Sequence, residues 1–152
     1  MEGTFRTYEA PANTLKKFKE AEHETHAHVV LCHKIIAKAS TVERYEKMKA
    51  SGSSGRKVCD KKFQEMLRNL AHTSDKLKAS GLVQTFTIIA RRDLNQFVQV
   101  YTEDSIQPPS EIINGEMNGA LTIKEKGFIA EICNKPLEAL KSLKQGLRQG
   151  TN

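Results

Sequence analysis

Apolar residues recur at the spacing of one helix face along the first third of the chain. Between Leu15 and Ala39 they fall mostly three, four or seven residues apart, which predicts an amphipathic helix. The order Ser40-Thr41-Val42-Glu43 is typical of a capping box and predicts a second, short helix ending near Ala50. The glycine and serine residues at 51–55 predict a flexible loop.

The residues that precede Gly81–Ala90, the most apolar ten residues of the chain, follow a helical pattern. Helical spacing predicts one helix from Arg56 to Ala71 and a further element that begins at Asp75. Residues 81–90 fit two structures. As a helix they would leave one polar stripe, formed by Ser80, Gln84, Thr87 and Arg91.

As a strand, the β-branched run VQTFTII would pair with FVQVYT at 97–102 through a turn at RRDLNQ. Continuity with the helical segment LKAS before Gly81 favours the helix. A second amphipathic helix is then expected from Asp93 to Tyr101.

The last third of the chain begins with a break at 105–110, where two prolines fix the backbone. Residues 110–121 are expected to be irregular, and 122–133 fit either a helix or a hairpin around Lys126-Gly127. A final helix is predicted from a cap at Asn134, with Pro136 in its first turn. Its buried stripe comprises Leu137, Leu140, Leu143 and Leu147.

These elements predict an all-α fold, a single-domain helical bundle of about five to six helices over residues 1–152. Residues 1–12 are expected to form a loosely ordered arm. The alternative is an α+β fold with hairpins at 82–102 and 120–133 packed on N- and C-terminal helices.

The cysteine content and the distribution of apolar residues indicate the cellular compartment of the protein. Cys32, Cys59 and Cys133 are odd in number and lie far apart, which is typical of a reducing compartment. The N-terminal residues show no apolar core of a signal peptide, and no apolar run is long enough for a membrane span. We therefore expect a cytoplasmic protein that does not bind a membrane.

Positive charge is concentrated in the middle of the chain. The net charge is +6 overall, and residues 51–92 alone hold nine basic and three acidic residues. A basic segment around an apolar element is typical of proteins that bind a polyanion. The candidate phosphate contacts are Arg91, Arg92, Lys76, Lys78, Lys61, Lys62 and Arg68.

No motif for catalysis is found. The sequence holds no GxxxxGK[ST] phosphate loop and no GxSxG elbow, and Glu103-Asp104 is interpreted as solvated. Four histidines, His23, His26, His28 and His33, could share a metal, but a solvated helix face is the favoured interpretation. The sequence thus predicts no enzyme, no cofactor and no metal.

Residues 61–89 resemble the small helical subunit of type III CRISPR–Cas effector complexes, the Cmr-type small subunit. The resemblance covers about a third of the chain, including the C-terminal PLEALKSLKQGLRQ. The positions that carry it are Phe63, Leu67, Leu70, Gly81, Leu82, Gln84 and Phe86.

This resemblance implies a non-catalytic subunit of an antiviral effector that stacks in several copies and contacts other subunits. It would bind the phosphate backbone of a guide-RNA/target duplex by charge and shape. Two other functions stay open: a small protein–protein interaction adaptor with a basic surface and no nucleic-acid role, and a His-dependent metal protein.

Overall fold

The chain folds as a mixed α/β protein. A computed structural model describes residues 3–134. The elements in chain order are α1 (Glu9–Glu20), β1 (His26–Leu31), α2 (Lys34–Ala50), α3 (Asp60–Ala79), β2 (Thr85–Arg92), β3 (Gln96–Tyr101) and α4 (Pro109–Asn118). A further helical segment covers residues 123–134.

The three strands form one sheet in the order β1-β2-β3. β1 and β2 run parallel, with His26 opposite Thr85 and Leu31 opposite Ala90. α2 and α3 lie in the connection between these two strands, as parallel pairing requires a long crossover. β3 runs antiparallel to β2, with a register irregularity between Ile88 and Ile89.

The hydrophobic core lies on one face of this sheet. β1 buries every second residue, Ala27, Val29 and Leu31, and β2 buries Phe86, Ile88 and Ala90. Because side chains alternate along a strand, these residues share one face. The cluster is completed by residues of three helices: Ala12 and Leu15 of α1, Leu70 and Leu77 of α3, and Ile113 and Met117 of α4.

The chain divides into two compact units. The first comprises the described residues up to Lys34 together with Val58–Ala120, and it holds the whole sheet. The second comprises Ile35–Lys57 and the described residues from Leu121 onward. Within the second unit, Ile36, Ala39 and Ile132 are buried. The single-domain organisation stays a prediction.

The predicted all-α fold is wrong, and β1 is the first reason. The expected helix 15–39 ends early: α1 stops at Glu20, and Glu22 has a positive φ of 59° that breaks the helix. Residues 26–31 then alternate between exposed and buried positions. Ala27 and Val30, two apolar residues that would fall on the polar face of the expected helix, belong to this strand.

The helices expected at 81–90 and from Asp93 to Tyr101 are also wrong. These residues form β2 and β3, so they agree with the less favoured interpretation. Gly81, with φ at 69°, separates α3 from β2. Asp93 and Leu94 both have positive φ, and this conformation turns the chain back into β3.

Other boundaries shift as well. α2 runs through the expected capping box at Ser40, and α3 continues through Asp75 without a break. Residues 109–118 form α4 instead of an irregular segment. The helical segment at 123–134 excludes a hairpin at 120–133. The predicted last helix, with its stripe from Leu137 to Leu147, lies outside the described residues.

No helix within residues 3–134 is long and apolar enough to cross a membrane.

Candidate functional site

The seven predicted phosphate contacts do not form one patch. Lys61, Lys62, Arg68 and Lys76 are exposed along α3, whereas Arg91 and Arg92 end β2. Lys61 and Arg68 are seven residues apart, so they lie on one side of the helix. The buried Phe63, Leu70 and Leu77 occupy the opposite side.

Besides Arg92, three of these cations have partners within the protein. The Lys76 ammonium lies 5.3 Å from the centroid of the Tyr8 ring, a cation–π distance. Lys78 forms an ion pair with Glu103, and this hydrogen bond raises the pKa of Lys78. Arg91 donates from Nε to the carbonyl oxygen of Leu94, in the turn between β2 and β3.

Arg92 belongs to a polar cluster at the carboxyl ends of β1 and β2. Its guanidinium contacts both carboxylate oxygens of Glu116, with Nε 3.2 Å from Oε2. Lys34, three residues after β1, donates from Nζ to Oδ1 of Asn118 at 2.7 Å. We call Lys34, Arg92, Glu116 and Asn118 the carboxyl-end cluster.

The sheet topology explains why this cluster lies at the carboxyl ends of the strands. Parallel strands present their carboxyl ends at one edge of a sheet, and open α/β sheets bind ligands at that edge. Leu31 and Ala90 pair near the ends of β1 and β2, so the chain leaves both strands at the same edge. α4 brings Glu116 and Asn118, from its last turn, to the two cations.

The cluster carries two cations and one carboxylate. The hydrogen bond to Glu116 raises the pKa of Arg92, so the guanidinium stays charged. Asn118 is neutral, so its side chain does not offset the positive charge of the Lys34 ammonium. That ammonium has further N–H donors. The arrangement can therefore accept an anion, and phosphate oxygens suit both donor types.

The histidines do not gather at a metal site. His26 and His28 lie on β1, where Nδ1 of His26 is 2.8 Å from Thr85 Oγ1 and Nδ1 of His28 is 2.5 Å from Thr87 Oγ1. His23 and His33 lie outside β1, at either side. Among the residues that the structure describes, no three His, Cys, Asp or Glu side chains could hold a metal ion.

Sequence reasoning found Arg92 but missed the rest of the cluster. Lys34 falls within the helix expected between Leu15 and Ala39, and Asn118 falls within the segment 110–121 that was expected to be irregular. The signal that would have located Lys34 is the alternation of exposed and buried positions at residues 26–31, which is typical of a strand. Once β1 is recognised, a polar residue just after a parallel strand becomes a candidate ligand contact.

Comparisons with known proteins agree on one family. The sequence model of the zeta toxin family matches residues 1–105, more than two thirds of the chain. "Toxin zeta" of Streptococcus agalactiae and "Toxin zeta" of Enterococcus hirae are each 28% identical over 126 residues. These 126 residues cover 82% of this chain and 43% of each relative. The chain thus spans less than half the length of these curated relatives.

A solved structure has a similar fold. The chain resembles a protein from the PezAT chromosomal toxin–antitoxin system of Streptococcus pneumoniae with a TM-score of 0.69 at 16% identity. The similarity covers 91% of this chain and 53% of that one.

These findings overturn the resemblance to the Cmr-type CRISPR subunit. The residues that carried it, Phe63 to Phe86, lie inside the region matched by the zeta toxin family. They span α3 from its first turn to its end and reach the start of β2, so they form one helix and part of a strand instead of two apolar helices. The expected RNA partner, the partner subunits of an effector and the antiviral role are wrong, and the adaptor alternative finds no support.

Proposed function

Because the chain belongs to the zeta toxin family, we propose that it forms part of a kinase that transfers a phosphoryl group to a UDP-sugar. The family match over residues 1–105 carries this proposal. It replaces the expectation that the chain is not an enzyme.

The carboxyl-end cluster supports phosphate chemistry. Phosphoryl transfer depends mainly on positioned cations that neutralise charge on the phosphate oxygens. Lys34 and Arg92 supply two such cations at the ligand-binding edge of a parallel strand pair. Glu116 holds the Arg92 guanidinium in place, and we propose that both cations contact phosphates of the bound nucleotides. Arg92 is therefore retained from the predicted phosphate contacts.

A kinase of this kind also needs a loop that cradles the phosphates of the donor nucleotide. Such loops have the sequence GxxxxGK[ST], and the 152 residues contain no match. We propose that this loop comes from the part of the zeta toxin fold that the chain does not span. We propose that the catalytic base of the kinase lies there too, because Glu116, the carboxylate of the carboxyl-end cluster, already pairs with Arg92.

The proposed function predicts a specific kinetic defect. We expect Lys34→Met and Arg92→Met to lower kcat/KM for phosphorylation of a UDP-sugar by roughly 10- to 100-fold, since each removes one phosphate-stabilising donor. The assay combines this chain with the portions of Streptococcus agalactiae Toxin zeta that lie outside the aligned 126 residues. ADP formation is followed with ATP and a panel of UDP-sugars.

Lys16→Met is the matched control, because Lys16 is an exposed lysine on α1 of the same unit. It should leave kcat/KM unchanged. Equal activity of the Lys34, Arg92 and Lys16 variants would remove the carboxyl-end cluster from the proposed mechanism.

We also propose an antitoxin as a protein partner, acting in the cytoplasm. The solved neighbour belongs to a toxin–antitoxin system, and the family is named for toxicity. Expression of the active assembly should then arrest bacterial growth, and co-expression of the cognate antitoxin should restore it. Growth arrest that the co-expressed antitoxin does not relieve would argue against this partner.

A further inference from the structure

β3 is the edge strand that ends the β2–β3 hairpin. Within residues 3–134, it pairs with β2 on one side and with no strand on the other. Residues 96–99 are all exposed, although consecutive residues of a strand point to opposite faces of the sheet. The outer side of β3 therefore offers backbone N–H and C=O groups for pairing with a further strand.

This edge lacks the features that usually prevent such pairing. Natural edge strands are protected by charged residues, prolines or bulges. The six residues of β3, Gln-Phe-Val-Gln-Val-Tyr, include no charged residue and no proline. The register irregularity lies between Ile88 and Ile89, and residues 96–99 pair regularly with β2. The first four residues of β3 thus form a regular, uncharged edge.

Two apolar side chains lie on this edge, one on each face of the sheet. Phe97 is 63% exposed and Val98 is 38% exposed. Residues opposite each other on antiparallel strands share a face, so Val98 lies on the same face as Ala90, which belongs to the core. Phe97 lies on the other face, opposite Arg91. A strand placed against β3 would therefore cover apolar surface on both faces.

The composition and direction of β3 favour a second copy of the same strand as the partner. An uncharged edge offers no charge to select an acidic or a basic segment, and it brings no like charges together when it pairs with itself. Its β-branched and aromatic residues are suited to a strand on either side of the contact. Two copies of one strand that pair antiparallel are related by a two-fold axis, the commonest symmetry of protein dimers.

We propose that β3 of one copy pairs antiparallel with β3 of a second copy, so that the two three-stranded sheets become one continuous sheet. A two-fold axis perpendicular to such a pair brings one residue opposite its own copy. Val98 lies within the regular, exposed part of the strand, and the axis passes within one residue of it. The two Val98 side chains then meet near the centre of the interface. This dimer does not depend on the proposed kinase activity.

Self-association is tested on the full 152-residue chain. One strand from each copy is expected to bury less than about 1,200 Å² in total, which is typical of weak complexes. We therefore expect sedimentation velocity to show a monomer–dimer equilibrium, with dimer accumulating as the concentration rises into the hundreds of micromolar. Hydrogen exchange of the outer β3 amides should slow as the dimer forms. A chain that stays monomeric, or a dimer with unchanged exchange in β3, would overturn the proposal.

Val98→Lys tests the centre of the interface. It brings two positive charges together across the axis, so we expect the Kd of the dimer to rise about tenfold or more. Ile106→Lys is the matched control, because Ile106 is fully exposed in a loop of the same unit and the change in charge is the same. Its Kd should equal that of the wild type. Equal dimerisation of the two variants would contradict the interface.

A charge pair distinguishes a lost interface from a damaged strand. Val98→Glu should also weaken its own dimer, but an equimolar mixture of Val98→Lys and Val98→Glu should form a heterodimer, because opposite charges then meet across the axis. Circular dichroism checks the fold of each variant, and exchange in the wild type tests β3 even where a variant does not fold. Two folded variants that form no heterodimer would overturn two-fold pairing at Val98.

Discussion

At the scale of single residues, Glu103 connects three elements through one carboxylate. Oε1 accepts a hydrogen bond from the backbone N–H of Phe86, at 2.6 Å, near the start of β2. Oε2 pairs with Lys78 near the end of α3, and Glu103 itself follows β3. Lys78 also lies 5.8 Å from the centroid of the Tyr101 ring. Its side chain is 44% exposed, as the interpretation of a solvated carboxylate implies, but both of its oxygens also make contacts within the protein.

Glu103→Gln is expected to lower the free energy of unfolding by about 1 kcal/mol at neutral pH, because the amide cannot replace a charged acceptor for both donors. Urea denaturation measures this change. Asp104→Asn, the neighbouring exposed carboxylate, should change stability by less than about 0.5 kcal/mol. Equal effects of the two substitutions would show that the Glu103 contacts add nothing.

The same contact predicts a pH dependence. Hydrogen bonds from Lys78 and from the Phe86 N–H lower the pKa of Glu103 below its ordinary value of 4.5. A lowered pKa in the folded state stabilises the protein at neutral pH, and this contribution is lost as the pH falls below 4.5 and through the folded-state pKa. Wild type and Glu103→Gln should therefore converge in stability toward the acid end of a urea series. A difference that stays constant down to the acid limit would contradict the assignment.

At the scale of elements, the sequence pattern located most helical segments but misassigned the strands. β1 has only six residues, and its alternation is flanked by residues that also fit a helix. β2 was recognised as a possible strand, but local continuity with α3 outweighed its β-branched content. The parallel pairing of β1 and β2 joins residues almost sixty positions apart, so local periodicity could not reveal it.

Two glycines illustrate how an element's conformation sets the effect of a substitution. Gly81 has φ at 69°, just after α3, and Gly115 lies inside α4. A β-carbon at either position would meet no atom within 4 Å. Gly81→Ala should therefore destabilise the protein by about 1 kcal/mol through backbone strain, whereas Gly115→Ala should stabilise it by roughly 0.5–1 kcal/mol. Thermal unfolding of both variants checks the opposite signs, and the same sign for both would be inconsistent with these conformations.

At the scale of the whole molecule, net charge is compatible with more than one kind of ligand. A net charge of +6 indicates an anionic partner, but it does not distinguish a nucleic acid from the nucleotides of the proposed kinase. The carboxyl-end cluster could not be assembled from the sequence, because Lys34 and Asn118 lie 84 positions apart. Family membership came from the match over residues 1–105, since no catalytic motif in the sequence indicated a kinase.

Direct detection of phosphoryl transfer tests the central claim, that this chain is part of a zeta-toxin-type kinase. The chain, combined with the unaligned portions of Toxin zeta, is incubated with ATP, Mg²⁺ and a UDP-sugar, and the products are followed by ³¹P NMR. We predict a new phosphomonoester signal from the UDP-sugar that appears with ADP, and none when either part is incubated alone. ATP and the UDP-sugar left unchanged by an assembled complex would contradict the claim.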